Sequence, residues 1–321
     1  MDEWNSQSPT PQDAAHPAPV PPRPHIIPSG LTQGPHGAPA GRWRMWLLGS
    51  FLALLAYYVV GALIIDKRNA DLALVPAPLF LPAGGSNSLG MMAALMDREV
   101  NGARWTPNDR FYMPSALLSR MPAWQSGVQQ VVLATARAYA QGPAPAGVAL
   151  AAENFATPPT WGWWRSSWPF FGRSAESAYR EAIDGLSEAN QIIAADALGY
   201  DNTGATLGRA LQVLSVRMDV ASTEIALQVD GKSARENALA YEKARGAAYA
   251  AAMMVRALRA DHPALVRDRQ LGARFDEAQQ MLDKIAAHKP WRVDHEDLVE
   301  QGYYLLRAKA ALAELAARSY P

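Results

Sequence analysis

The sequence predicts an all-α protein, a single N-terminal transmembrane helix followed by a multi-helix, bundle-like soluble domain. Three observations predict it. Met45 to Ile65 runs without one charged side chain, between Arg44 and Asp66. At about 1.5 Å per residue that run reaches roughly 31 Å, close to the hydrocarbon thickness of a bilayer. From residue 88 onward apolar positions recur at the three-and-four spacing of helices, and the alternation that marks half-buried strands is nearly absent.

The apolar run reads as a retained anchor. A cleaved secretory signal has a shorter apolar core near the start and a small-residue cleavage site. Here the run begins after residue 44 and ends in Ile64-Ile65-Asp66-Lys67-Arg68. Trp43 and Trp46 suit the headgroup layer at one end, and Tyr57 and Tyr58 lie nearer the other. The flanking basic residues, Arg42 and Arg44 against Lys67 and Arg68, are balanced. Arg23 tips the positive-inside comparison toward a cytoplasmic tail with the large domain outside. The opposite placement, with the domain in the cytoplasm, is the alternative.

Composition narrows the chemistry. The chain has 30 basic and 30 acidic residues and no cysteine. A balanced charge gives no electrostatic footprint for nucleic acid. Without thiols there are no disulfides, thiolate metal sites or thiol nucleophiles. Residues 1–41 hold ten prolines, among them the Pro17-Ala-Pro-Val-Pro-Pro-Arg-Pro24 run. That composition reads as a disordered tail or a polyproline ligand, not as packed structure.

The domain's elements follow in order. Residues 67–87 are a proline- and glycine-bearing linker. Ser86 or Ser88 caps a helix with Leu89, Met92, Met96 and Val100 on one face, and Asn101-Gly102 stops it. Pro114 opens a second helix containing Leu117, Leu118, Met121, Trp124, Val128 and Val131, which Pro122 kinks or splits. Residues 142–173 read as a Trp-rich loop. Helices resume over 174–197 and 203–229. Ser233-Ala-Arg-Glu236 is a capping box opening a helix that Asp261-His262-Pro263 ends. Two more are expected, over 266–287 and 295–318, for six to eight helices in one domain spanning 88–321. The stripe of Ala244, Ala247, Ala248, Ala251 and Ala252 lets neighbouring helices approach closely.

Few constellations carry chemistry. The six histidines show no i, i+4 pair and no His-Glu-x-x-His, so no metal site is expected. His295-Glu296-Asp297 supplies negative charge to a helix start instead. Gly84-Gly85-Ser86 lacks the lysine and preceding strand of a phosphate cradle and reads as flexible linker. No cofactor motif occurs. The candidate ligand- or partner-binding residues are Asp97, Arg98, Glu99, Trp105, Asn108 and Asp109, with Trp161, Trp163, Trp164 and Trp168 from the loop. Asp97, Glu99 and Asp109 are the carboxylates for a glycoside-cleaving pair; the bland account is a turn at Thr106-Pro107-Asn108-Asp109 whose charges pair locally. The four tryptophans either stack sugar rings, dip into the membrane interface, or pin a long loop onto the helices.

Two stretches carry a resemblance. Gly90-Met-Met-Ala-Ala-Leu-Met-Asp-Arg-Glu-Val-Asn-Gly-Ala-Arg-Trp-Thr-Pro-Asn-Asp-Arg-Phe-Tyr-Met-Pro-Ser-Ala-Leu-Leu118 resembles the signature block of the family of unknown function numbered 2333. Ser174-Ala-Glu-Ser-Ala-Tyr-Arg-Glu-Ala-Ile183 and Gln301-Gly-Tyr-Tyr-Leu-Leu-Arg-Ala-Lys309 are similar to it as well. The likeness covers most of residues 44–316; the 142–160 segment and the proline-rich tail depart from it. It implies a single-anchor envelope protein of a Gram-negative bacterium, in which the tail-in orientation expected from the flanking charges puts the anchor in the inner membrane and the domain in the periplasm. It implies no catalytic residues.

The sequence thus leads to a scaffold or interaction module held to membrane lipid through residues 45–65, with envelope proteins as partners. A binder or hydrolase of cell-wall glycan is the competing expectation.

Overall fold

The computed structural model describes residues 42–115, 119–162, 173–195, 203–231 and 233–320. The chain divides into two compact units, Met1–Phe51 and Leu52–Pro321. The described part of the first is the opening of helix α1 (Arg42–Ile65), where Trp43 to Ser50 are all exposed. Trp43–Ile65 is long and apolar enough to cross a membrane, and none of its most apolar window is buried in protein. Continuous apolar character on every face is what a lipid solvent selects.

The second unit is all-α: ten α-helices and no strand occur among the described residues of the whole chain. After α1 come α2 (Asn87–Asp97), a π-helical turn (Arg98–Gly102), α3 (Met121–Ala140), α4 (Ala146–Phe155), α5 (Ala175–Ala194) and α6 (Gly204–Val229). Then follow α7 (Ala234–Asp261), α8 (Pro263–Asp268), α9 (Gly272–Ala287) and α10 (His295–Ser319). α7 is the hub: α3, α9, α6 and α2 pack on it, α10 lies along α6, and α4 lies along α5.

Local chemistry sets the boundaries. Ser86, Ser174 and Ser233 each accept the backbone N–H three residues on, removing an orphan donor from α2, α5 and α7. Asp294 and Asp297 cap each other's backbone at the start of α10, and Glu296 adds a second carboxylate to that first turn. The core is aromatic and sulfur-rich, with Trp105, Trp124, Phe155, Tyr179, Tyr241, Tyr249 and Phe275 below 2 % exposed. Full burial of one such apolar side chain is worth about 1.5–3 kcal/mol. Two glycines let α3 and α7 approach closely. A Cβ on Gly127 of α3 would sit 2.1 Å from the Lys243 carbonyl oxygen, and one on Gly246 would sit 2.3 Å from the Trp124 carbonyl oxygen.

Three local expectations are corrected. Residues 142–173 are not wholly loop: Ala146–Phe155 is a helix that buries Val148, Ala151, Ala152 and Phe155. Flanking prolines at 143, 145, 158 and 159 disguise it, yet Pro145 occupies the N-cap position, where its fixed φ does no harm. The helix expected from Pro114 is split, as one of the two alternatives had it: residues 119–120 are not helical, and Pro122 lies in the first turn of α3. The helix expected over 266–287 is two, α8 and α9, separated by a turn in which Gln270 has φ of 54°. Residues 67–87 connect α1 to α2 but are tied down. Arg68 binds Glu242, Tyr249 Oη donates to the Asp71 carbonyl at 2.9 Å, and Arg256 donates to that of Leu72. Among the described residues nine α-helices follow α1, against six to eight expected, because of α4 and α8. The proline-rich tail, Leu117, Leu118 and most of the tryptophan cluster lie outside the described residues.

Candidate functional site

The polar block at residues 97–109 begins where α2 widens into the π-helical turn. Asp97 is half-buried and accepts from Asn101 Nδ2 at 2.8 Å. Glu99 is turned inward and is 2 % exposed. Its Oε1 accepts from Arg98 Nη2 at 2.6 Å and from Trp124 Nε1 at 3.3 Å, while Arg98 Nη1 donates to Tyr249 Oη at 2.6 Å. The Arg98 guanidinium also lies 4.5 Å from the centre of the Tyr249 ring. Burial opposes its charge, but Glu99 and Tyr249 outweigh that and hold its pKa above the ordinary arginine value.

The turn after it is a braced corner. Gln125 of α3 donates to the carbonyls of Glu99 and Arg104 at 3.0 and 2.8 Å, and accepts from Thr106 through both N–H and hydroxyl. That bracing holds Arg104 at a φ of 66°. Asp109 accepts from Ser115 Oγ at 2.5 Å and pairs with Arg104 at 3.2 Å. Trp105 is fully buried, stacks edge-on against Tyr179 at 4.9 Å and donates to the Pro159 carbonyl at 2.9 Å. Asn108 Nδ2 reaches the Trp161 carbonyl at 3.5 Å, and the Trp161 ring is 43 % exposed. Trp163, Trp164 and Trp168 lie outside the described residues. The structure therefore joins Arg98 with Glu99, and Trp105 and Asn108 with the 159–161 segment. It points Asp97, Glu99 and Asp109 at three different sets of partners.

A second polar column, absent from the sequence reading, runs along α7. Glu242 is 0 % exposed and faces two arginines. Arg68 binds one oxygen, and Arg245 Nη1 donates to the other at 3.1 Å. Arg68 also pairs with both oxygens of Asp66, at 2.5 and 2.6 Å. Burial again works against its charge, and Asp66 with Glu242 more than compensates, raising its pKa. The Arg245 guanidinium lies 5.0 Å from the Trp124 ring centre, so Trp124 sits between this column and Glu99.

Two grooves formed by described residues lie elsewhere. A groove of about 460 Å³ between α7, α9 and α10 is lined by Tyr241, Lys284, His288, Glu300, Gln301 and Tyr304, among others. A second of about 440 Å³, on the other flank of α9, shares Lys284 and Ala287 with it. The two grooves contain none of the ten candidate residues. Gln301 is 3 % exposed, and its Nε2 donates to the Tyr241 carbonyl at 3.0 Å while its Oε1 has no partner. His288 Nε2 lies 2.9 Å from Asp297 Oδ1, and Lys284 Nζ is 5.1 Å from the Tyr304 ring centre. The groove combines a cation, a carboxylate, two phenol rings and a buried amide acceptor. Sequence reasoning passed over it. Among the described residues no group of three or more histidine, aspartate or glutamate side chains is arranged to hold a metal.

No family model, no curated protein and no solved structure matches the chain.

Proposed function

We propose that this chain is a membrane-anchored helical interaction module of the bacterial cell envelope. α1 spans the inner membrane, the tail is cytoplasmic and the domain is periplasmic. One observation carries the reading. The charged groups of the 97–109 block pair internally except for the buried Glu99 Oε2, while Lys284 and Glu300 line the open groove beside α9 and α10 and the unpartnered Gln301 Oε1 is buried in its wall. Internally paired groups hold a scaffold in shape; a groove with unmatched donors and acceptors is where a partner chain gains affinity. The envelope assignment rests on the resemblance and the anchor together.

A photo-crosslinking residue at Tyr304 in the full-length protein, expressed in its membrane, tests this. The expected result is discrete adducts with a membrane or wall-associated protein, lost on Gln301→Arg. An adduct-free Tyr304 variant at normal protein levels contradicts it.

The half-exposed Trp161, whose backbone carbonyl accepts from Asn108, favours a second reading, recognition of cell-wall glycan by stacking. Co-sedimentation with purified sacculi, compared between the wild-type chain and Trp161→Ala, separates the two.

A further inference from the structure

We infer that the turn Arg110–Met113 is seated in the same lipid leaflet as the last turns of α1, with Phe111 as its wedge. The inference rests on reading α1 as a membrane span.

Within Leu52–Pro321, one stripe of α1 is covered. Tyr58, Gly61, Ala62 and Ile65 are half-buried at helical spacing, while Tyr57, Val59, Val60, Leu63 and Ile64 stay exposed. The cover is the turn. Tyr58 Oη donates to the Tyr112 carbonyl at 2.7 Å, and Tyr57 Oη contacts Met113 Sδ at 3.7 Å. A Cβ on Gly61 would fall 2.8 Å from Pro114 Cγ, so the glycine is what seats the proline ring.

Length decides where that contact lies. If lipid ended at Tyr57, the span from Met45 would be about 20 Å, a third short of the roughly 30 Å hydrocarbon layer. The apolar run must continue to Ile65, which leaves Tyr58 and its partner Tyr112 about 10 Å inside its end. The turn is built for that layer. Met113 N–H donates to the Arg110 carbonyl at 2.8 Å, and the Tyr58 hydroxyl covers the Tyr112 carbonyl. These bonds satisfy backbone groups that lipid cannot. Phe111 is 81 % exposed and stacks edge-on against Tyr112, itself 42 % exposed. Arg110 Nη1 donates to Tyr112 Oη at 3.1 Å, so the guanidinium beside the wedge has a hydrogen-bond partner from the turn itself. Asp109 is already held by Ser115 and Arg104, so it brings no unpaired anion to the surface. The partner is the phospholipid leaflet itself.

The chain has no cysteine, so single nitroxide labels report without background. Phe111→Cys, Leu55→Cys and Trp291→Cys variants of the full-length protein are labelled in phosphatidylethanolamine–phosphatidylglycerol vesicles. Accessibility to oxygen is compared with that to a water-soluble nickel chelate. Position 55 marks the span, and position 291, 94 % exposed, marks water. The expected result is an oxygen-to-nickel ratio at 111 severalfold above that at 291 and below that at 55. A label at 111 as aqueous as at 291, with 55 in hydrocarbon, overturns the inference and leaves the anchor standing. Aqueous readings at both 55 and 111 overturn the anchor and the inference together.

Discussion

Asp261, the last residue of α7, holds Asn87, the first residue of α2, by two bonds to one oxygen. Its Oδ1 accepts the Asn87 backbone N–H at 2.6 Å and the Asn87 Nδ2 at 2.9 Å. Oδ2 takes the Ser86 hydroxyl and the Ser88 N–H, each at 2.9 Å. Asn190 of α5 closes the other side, accepting from Ser86 N–H at 2.6 Å and donating to the carbonyls of Phe80 and Ser86. The opening of α2 is thus clamped by side chains from two distant helices, and the carboxylate lies where the helix dipole favours it.

Asp261→Ala orphans buried donors and removes a charged acceptor, so it should cost about 2–3 kcal/mol. Urea unfolding of the full-length chain in micelles, followed by tryptophan fluorescence, reads this as a lower midpoint at unchanged slope. A loss under about 0.5 kcal/mol, the range of an ordinary surface change, would contradict the clamp.

Glu99→Ala strips the half-buried Arg98 of its carboxylate. Truncating one member of a buried pair costs about 3–5 kcal/mol, and partial exposure of the Arg98 side chain places this pair at the low end. Glu99→Gln keeps an acceptor for Trp124 and should cost less. If Glu99 instead belonged to a glycan-cleaving pair, Glu99→Gln would abolish hydrolysis of sacculi with stability intact. That result would overturn the structural role given to it here.

Gly246→Ala forces a methyl against the Trp124 carbonyl, and backbone cannot swing aside as a flexible side chain can. Overpacking of this kind costs about 1–3 kcal/mol, and Gly127→Ala should do at least as much. By contrast Gly49→Ala, whose added Cβ meets nothing within 4 Å, should leave the domain's melting unchanged. Thermal melts of the three variants check the order.

Three buried tyrosines make the fold alkali-sensitive. Burial raises the pKa of Tyr179 and Tyr241 well above the usual phenol value and pushes Tyr249 up to about 12, with Arg98 opposing the last. In the unfolded chain each phenol ionises near 10. Their neutral burial therefore stabilises the fold fully below pH 10. That contribution falls as pH rises through the window above 10, where the unfolded state binds fewer protons. Phenolate absorbance should show a late fraction that appears together with loss of helical signal. Smooth titration of every tyrosine near 10 with helicity retained would contradict the burial.

How much was legible in the sequence follows from the range of each interaction. The caps at Ser174, Ser233 and Asp294 act within three residues, so helix starts could be read directly. α4 was hidden because its prolines punctuate both ends of only ten residues. The docked connector was illegible because Arg68 finds Glu242 174 positions away. Asp261 did leave a signal: a carboxylate at a helix carboxyl end opposes the dipole and so invites a partner elsewhere. In the candidate block, local pairing at Arg104 and Asp109 could be anticipated from turn chemistry. The inward turn of Glu99 depends on the π-helical widening and on Trp124, neither of which residue spacing encodes.

The account rests on α1 holding the helical body at a bilayer. Alkaline carbonate extraction of membranes carrying the full-length protein, beside a version lacking residues 45–65, tests that most directly. Retention of the full chain in the pellet with release of the deleted form is the predicted result; release of both into the supernatant would contradict it.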